Sequence, residues 1–158
     1  MAGEKITSLL KEYSESHQNP VNENIHWVCV PLIFFTIFGL LRSIPVPESM
    51  TQISPLFNWA NLILVLALIY YLVLSVPLFI GFIFWALIVS LGNEFLFQTW
   101  GQPTFVLFSI GVFALAWVGQ FIGHGFFEHK KPKFLKDLQF LLIGPAWLMN
   151  FILKVVKY

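Results

Sequence analysis

Long apolar stretches separated by short polar breaks dominate this chain. They cover residues 25–41, 56–74, 78–97, 105–123 and 134–153, each near the ~20 residues that a membrane crossing requires. The first four stretches predict membrane-spanning helices. Gly144 and Pro145 interrupt the fifth, which predicts a kinked crossing or a re-entrant segment.

The N-terminal residues follow a different pattern. Apolar side chains recur at helical spacing among charged ones, which predicts a short amphipathic helix over residues 4–17, on the membrane surface or on the bundle. Asn19 and Pro20 break this helix, because proline lacks an N–H and pushes the preceding residue out of helical geometry. Residues 18–24 are predicted to form a polar turn.

The remaining breaks are marked by proline and glycine. Residues 49–93 carry no charge and are too many for one helix, so Pro77 with Gly81 is predicted to mark the turn between the second and third spans. Gly101 and Pro103 mark the next break.

Composition agrees with this pattern. Hydrophobic residues make up 58% of the 158 residues, against about 45–50% in soluble domains. The prediction is an all-α polytopic membrane bundle of four to five membrane segments, forming a single domain over 1–158.

Net charge is +1 with no basic stripe, which argues against nucleic-acid binding. Five aromatic residues are interpreted as packing or interface anchors: Tyr13, Trp27, Trp100, Trp117 and Trp147.

Lysine and arginine positions predict the orientation. Two lysines, Lys5 and Lys11, precede the first span, and four follow the fourth: Lys130, Lys131, Lys133 and Lys136. Arg42 alone marks the opposite loop. Positive charge favours the cytoplasmic side. The N-terminus and the 124–137 loop are therefore predicted to be cytoplasmic, in the endoplasmic reticulum of a eukaryote or the inner membrane of a bacterium. Asn93, Glu94 and Gln98 fall on the far side, where a helix-end role is predicted.

Three histidines lie at the predicted cytoplasmic rim: His17, His26 and His124. Histidine is the commonest metal ligand. On an unbroken helix His17 and His26 would face about 180° apart. The break at Pro20 lets the surface helix fold back, so that both imidazoles point to the mouth of the first span.

His124 and Glu128 are four residues apart and share a helix face if the helix continues. Glu128 is therefore a candidate ligand, or an acceptor for an imidazole N–H. His129 points elsewhere, and a solvated loop residue is its simpler interpretation. Single interfacial histidines are mostly hydrogen-bonded surface residues, but three on one membrane face favour a joint site.

Two motifs resemble a known family: Tyr13-x-x-x-His17-x-Asn19-Pro20-x-Asn22-x-x-Ile25-His26 and Gln120-Phe121-Ile122-Gly123-His124-x-x-Phe127-Glu128. They resemble the yeast-type 2-hydroxy fatty acid dioxygenases, small multi-span membrane proteins of phytosphingosine and fatty acid α-oxidation. The resemblance extends from about residue 10 to 150.

The resemblance implies an iron(II)-dependent dioxygenase that uses O2 to shorten a 2-hydroxy fatty acid by one carbon. It implies His17, His26 and His124 as iron ligands, with His129 as a candidate fourth and Asp137 as a further matching position. Three imidazoles on six-coordinate iron would leave positions for a 2-hydroxy carboxylate and for dioxygen. The acyl tail requires an apolar slot, and Lys130 or Lys131 is a candidate to offset the carboxylate charge.

Other functions fit the same residues. Three histidines and a water also form a catalytic zinc site, with Glu128 as the general base of a membrane hydrolase. A non-enzymatic scaffold or transport subunit would use the histidines to cap helices. A bis-histidine haem protein is a further alternative. The sequence leaves the oligomeric state open.

Overall fold

The computed structural model describes residues 2–54, 56–129, 139–154 and 156–157. Within these ranges the regular elements are helices without a strand, which confirms the all-α prediction. The elements are α1 (Ala2–Ser14), α2 (Pro20–Arg42), α3 (Glu48–Thr51), α4 (Trp59–Leu74), α5 (Val76–Trp100), α6 (Gln102–Ile122), a π-helical turn (Gly123–Glu128) and α7 (Gln139–Leu153).

Helix α1 lies on the bundle and ends three residues before the predicted boundary at residue 17. Its apolar face is buried through Ile6, Leu10 and Tyr13. These side chains join one core cluster with residues of α4, α5 and α7. Lys5 and Lys11 are exposed on the opposite face, as the amphipathic pattern requires.

Helix α2 begins at Pro20, five residues earlier than the predicted span. The side chain of Asn19 caps it by accepting a hydrogen bond from the Val21 N–H at 2.9 Å. Proline suits the first helical position, where an N–H would have no helical partner. The predicted turn over 18–24 was therefore too long. Hydropathy missed the first helical turn because its residues include Asn22, Glu23 and Asn24.

Among the described residues, three helical stretches are long and apolar enough to cross a membrane: α2, α5, and α6 continued by the π-helical turn. Helices α4 and α7 are apolar but have 16 and 15 residues. At about 1.5 Å per residue they are shorter than the ~30 Å hydrocarbon core. The protein is thus a membrane helical bundle with three long spans and two shorter apolar helices.

The breaks between spans depend on backbone geometry. Ser75 separates α4 from α5, so Pro77 lies in the first turn of α5 and Gly81 lies inside that helix, after the actual break. Gly101 separates α5 from α6 with φ of 73°, a conformation that glycine adopts without steric cost. This second break lies where the sequence predicts it.

Helices α2 and α6 meet through two glycines one turn apart. A Cβ atom at Gly119 would lie 2.7 Å from the Cys29 sulfur, and one at Gly123 would overlap the Asn22 side chain. Small residues four positions apart allow membrane helices to approach closely. The first turns of α2 therefore contact the end of α6 and the π-helical turn that carries His124.

Helix α7 contains Pro145 and is buried along most of its described length, including Ile143, Ala146 and Trp147. It packs against α1, α2 and α5. The predicted start at residues 134–138 lies outside the described residues, so a crossing by this segment stays a prediction.

An ion pair between Arg42 and Glu94 joins α2 to α5 at the end of the bundle opposite to His26. Arg42 donates to both carboxylate oxygens of Glu94, at 2.5 and 3.1 Å, and Gln98 donates to the same carboxylate at 2.8 Å. These contacts fit the helix-end role predicted for Glu94 and Gln98. Arg42 lies about 24 Å along α2 from His26, at 1.5 Å per residue.

Candidate metal centre

Three imidazoles converge where the ends of α1, α2 and α6 meet. One ligand atom from each of His17, His26 and His124 lies within 4.8 Å of the other two. The Nε2 atoms of His17 and His26 are 2.9 Å apart. All three side chains are buried, with exposed fractions of 5%, 0% and 2%. The chain therefore brings together the three histidines that the sequence singled out.

The fold-back between α1 and α2 brings His17 next to His26. His17 follows the end of α1, and His26 occupies the second turn of α2. The turn after Ser14 reverses the chain before Asn19 caps α2, so the nine residues between the two histidines do not form one helix. The predicted effect of the break at Pro20 is confirmed.

Hydrogen bonds fix two of the rings. His17 Nδ1 lies 2.6 Å from the carbonyl oxygen of Tyr13, and His26 Nδ1 lies 2.8 Å from that of Asn22. A carbonyl oxygen only accepts, so each Nδ1 donates a proton to it. In the neutral ring Nε2 then carries a lone pair, the state in which imidazole binds a metal. Backbone acceptors of this kind orient metal-binding histidines in proteins.

His124 differs from the other two histidines. It lies in the π-helical turn, and its Nδ1 is buried without a hydrogen-bond partner among the described residues. A buried polar atom without a partner costs about 1–3 kcal/mol. An unpartnered imidazole nitrogen beside two converging imidazoles fits the donor set of a metal centre.

Glu128 contacts the turn between α1 and α2. Its Oε1 accepts hydrogen bonds from the backbone N–H of Gln18 at 2.7 Å, from that of Asn19 at 2.8 Å, and from the Asn22 side chain at 3.2 Å. It lies outside the group of three histidines that could hold a metal. Its carboxylate therefore connects the π-helical turn after α6 to the fold-back that carries His17.

His129 also lies outside that group. It is exposed and ends the π-helical turn in the left-handed conformation, with φ of 53°. Its assignment as a fourth ligand stays a prediction. The lysines of the second motif, Lys130, Lys131, Lys133 and Lys136, and the matching position Asp137 lie outside the described residues.

Aromatic rings enclose the histidines. The ring of Tyr13 stacks on His17 with centroids 4.1 Å apart, and Trp147 lies 5.2 Å from the same imidazole. Burial raises the pKa of the Tyr13 phenol well above its usual range, so its hydroxyl stays protonated near neutral pH. The walls of the site are therefore mostly apolar and neutral.

A cavity of about 170 Å³ adjoins the histidine group. Its polar lining residues are Tyr13, Gln120 and His124. Its α2 wall consists of Val30, Ile33, Phe34, Ile37 and Phe38. This spacing puts all five on one face of α2, so the cavity follows the helix away from His26. The predicted apolar slot has a counterpart in this cavity.

The sequence analysis gave no role at the site to three polar motif residues that lie four positions before the histidines: Tyr13, Asn22 and Gln120. Tyr13 was interpreted as an anchor, and Asn22 was placed in a turn. All three are at most 7% exposed. The repeated spacing is a usable signal, since residues four apart are neighbours on a helix.

Comparison with known proteins agrees with the resemblance. Residues 4–156 match the model of a family described as 2-hydroxy-palmitic acid dioxygenase Mpo1-like. The chain is 30% identical to the 2-hydroxy-palmitic acid dioxygenase MPO1 of Saccharomyces cerevisiae over 147 residues, which cover 91% of this chain and 77% of the yeast protein. No solved structure matches the chain. The chain belongs to the Mpo1-like family of 2-hydroxy-palmitic acid dioxygenases.

Proposed function

We propose that the protein is an iron(II)-dependent dioxygenase that shortens 2-hydroxy fatty acids by one carbon. The observation that carries the proposal is the convergence of His17, His26 and His124 at one end of an apolar cavity. Family membership supplies the reaction class, since the yeast relative is named a 2-hydroxy-palmitic acid dioxygenase.

The three histidines are the proposed metal ligands. Their acceptors at Tyr13 and Asn22 hold two rings in the tautomer that binds a cation. When bound, the iron supplies the activation of dioxygen. Glu128 is proposed to hold the fold-back, because its Oε1 accepts three hydrogen bonds from residues 18, 19 and 22.

The substrate is proposed to place its polar head at the histidines and its tail in the apolar cavity. An apolar cavity of about 150 Å³ is known to hold benzene, so one of about 170 Å³ accommodates the proximal carbons of a long chain. The polar lining residues lie near His124, and the apolar ones continue along α2. This arrangement orients an amphiphile with its first two carbons beside the metal ligands.

The proposed location is a membrane with the histidine group on the cytoplasmic side. The lysines at positions 5 and 11 lie at the same end of the bundle as the site, and Arg42 lies at the other end. Positive residues favour the cytoplasmic face, whichever membrane holds the protein.

Oxygen consumption with 2-hydroxypalmitate, compared with palmitate, tests the proposal. The wild type should consume oxygen with the hydroxy acid and release an acid one carbon shorter. The purified protein should contain iron. Alanine variants of His17, His26 and His124 should lose both the metal and the activity. His129→Ala tests the fourth ligand: weaker metal binding would support that assignment, and unchanged metal content would exclude it.

Other outcomes separate the alternatives. A protein with zinc, no iron and no oxygen uptake would indicate a hydrolase. Histidine variants with unchanged metal content would indicate a scaffold or transport subunit. A Soret band would indicate haem.

A further inference from the structure

We propose that Gln120 is a substrate-positioning residue whose side-chain N–H donates a hydrogen bond to the carboxylate of the fatty acid. This inference rests on the proposed function, because it concerns the polar head of the same substrate. It assigns the recognition of the carboxylate to an uncharged residue within the bundle.

The first observation is an unsatisfied donor. Gln120 is 4% exposed, and its Nε2 has no hydrogen-bond partner among the described residues. Most buried polar side-chain atoms in folded proteins have a partner. An amide nitrogen buried without one costs about 1–3 kcal/mol, which a bound acceptor would recover.

The second observation is the position of the side chain. Gln120 lies one helical turn before His124, and both residues line the apolar cavity. The terminal amide torsion of glutamine has a broad energy profile, so the NH2 group can turn toward a ligand without rotamer strain. A substrate head beside His124 would lie within the range of this amide.

The chemistry of the head favours the carboxylate as the acceptor. An amide NH2 only donates and a carboxylate only accepts, whereas a hydroxyl does both. Hydrogen bonds to a charged acceptor are roughly twice as strong as neutral ones. A neutral donor also avoids the cost of burying a lysine or arginine without a partner. The Gln120 amide is therefore better suited to donate to the carboxylate of the substrate than to its 2-hydroxyl group.

Ligand binding to the protein as purified, in the absence of oxygen, tests this assignment separately from catalysis, because the proposed reaction requires O2. The probes are 2-hydroxypalmitate, palmitate and hexadecane-1,2-diol, which keeps a hydroxyl at carbon 2 but lacks the carboxylate. Trp117 lines the cavity, so quenching of tryptophan fluorescence in detergent reports occupancy. Gln120→Leu removes the donor at similar volume. Gln98→Leu is the matched control, because Gln98 lies at the far end of the bundle beside Glu94.

The expected result is selective. Gln120→Leu should weaken both acids roughly 10- to 100-fold and the diol much less, because the diol offers only a neutral acceptor. Gln98→Leu should change none of the three. Equal weakening of all three ligands, or of none, would overturn the proposal. Gln120→Met provides a second apolar variant if the leucine variant does not fold, and failure of both to fold would assign Gln120 a structural role instead.

A different result would contradict the proposed function itself. If wild-type protein consumes no oxygen with 2-hydroxypalmitate, the dioxygenase proposal is wrong. If the wild type is active and Gln120→Leu keeps full affinity for both acids, only the assignment of Gln120 is wrong.

Discussion

Glu128 joins two parts of the chain that are more than 100 positions apart. One carboxylate oxygen accepts from Gln18, Asn19 and Asn22, which belong to the fold-back and the first turn of α2. His17 precedes these donors and His124 precedes the acceptor. We therefore expect the hydrogen bonds of Glu128 to set the distance between His17 and His124, two of the proposed metal ligands.

Replacement of Glu128 should expose this role. Glu128→Ala leaves three donors without their acceptor, so we expect a loss of roughly 1–3 kcal/mol in unfolding free energy. Metal affinity should fall roughly 10- to 100-fold, as for other residues that orient ligands. Glu128→Gln keeps an oxygen acceptor and should lose less. Thermal unfolding and titration against a chelator measure both effects.

A different pattern would support the general base of a hydrolase. In that case Glu128→Ala and Glu128→Gln would both abolish activity, while the melting temperature and the metal affinity stayed unchanged.

Individual residues differed in how well the sequence predicted them. The three histidines were found because polar side chains at a membrane rim require an explanation. Asn22 and Gln120 were quoted only as motif positions, since the role of an amide becomes clear only when its burial and its partners are known. The orphaned Nε2 of Gln120 depends on packing between helices, which no local pattern encodes.

The π-helical turn from Gly123 to Glu128 is the element that presents His124. Such turns occur mostly as single interruptions of α-helices, frequently at functional sites. The turn begins at the glycine that contacts Asn22, so the irregular geometry and the close approach of α2 coincide. Both features place His124 against His26.

Two glycines of this turn provide a matched test. A Cβ atom at Gly123 would overlap the Asn22 side chain, whereas one at Gly125 would have nothing within 4 Å. Gly123→Ala should force α2 away, with a loss of about 1–3 kcal/mol and most of the bound metal. Gly125→Ala should retain both. Metal analysis and thermal unfolding of the two variants test this expectation. Equal metal content and equal stability in the two variants would contradict the packing argument.

The helix boundaries show what hydropathy detects and what it misses. The breaks near Pro20, Ser75 and Gly101 follow from proline and glycine geometry and were located within a few residues. The start of α2 was missed because its first turn is polar although Asn22 is fully buried. Tertiary packing overrode the local pattern there, and the π-helical turn has no sequence signature of its own.

The cavity runs along α2 from the histidine group toward the opposite end of the bundle. Phe38 is the lining residue farthest along α2 from His26. Phe38→Leu should enlarge that end and raise kcat/KM for longer 2-hydroxy acids relative to 2-hydroxypalmitate by roughly tenfold, since one methylene in an apolar pocket contributes about 1–3 kcal/mol. Phe84→Leu is the control, because Phe84 is 66% exposed on α5.

Competition assays with acids of increasing chain length measure this preference. An unchanged profile in Phe38→Leu would exclude the far end of the cavity from contact with the tail.

Membrane orientation is testable with single cysteines. Cys29 is the native cysteine and is buried, so its background labelling should be low. Ser8 lies on the exposed face of α1 and Gln52 lies in the loop after Arg42. In sealed vesicles of known orientation, an impermeant maleimide should label Ser8→Cys from the cytoplasmic side and Gln52→Cys from the opposite side. Labelling of both from one side would contradict the proposed topology.

The wide separation of the three histidines in the chain has a consequence for biogenesis. His124 is synthesised 98 residues after His26. At about 5–20 residues per second the ribosome needs roughly 5–20 s for that interval. A nascent chain can offer two imidazoles during this time but never the full set. If the three histidines bind iron as proposed, loading has to follow synthesis of the segment that contains His124, and a truncated polypeptide that stops before residue 124 should be unable to retain iron.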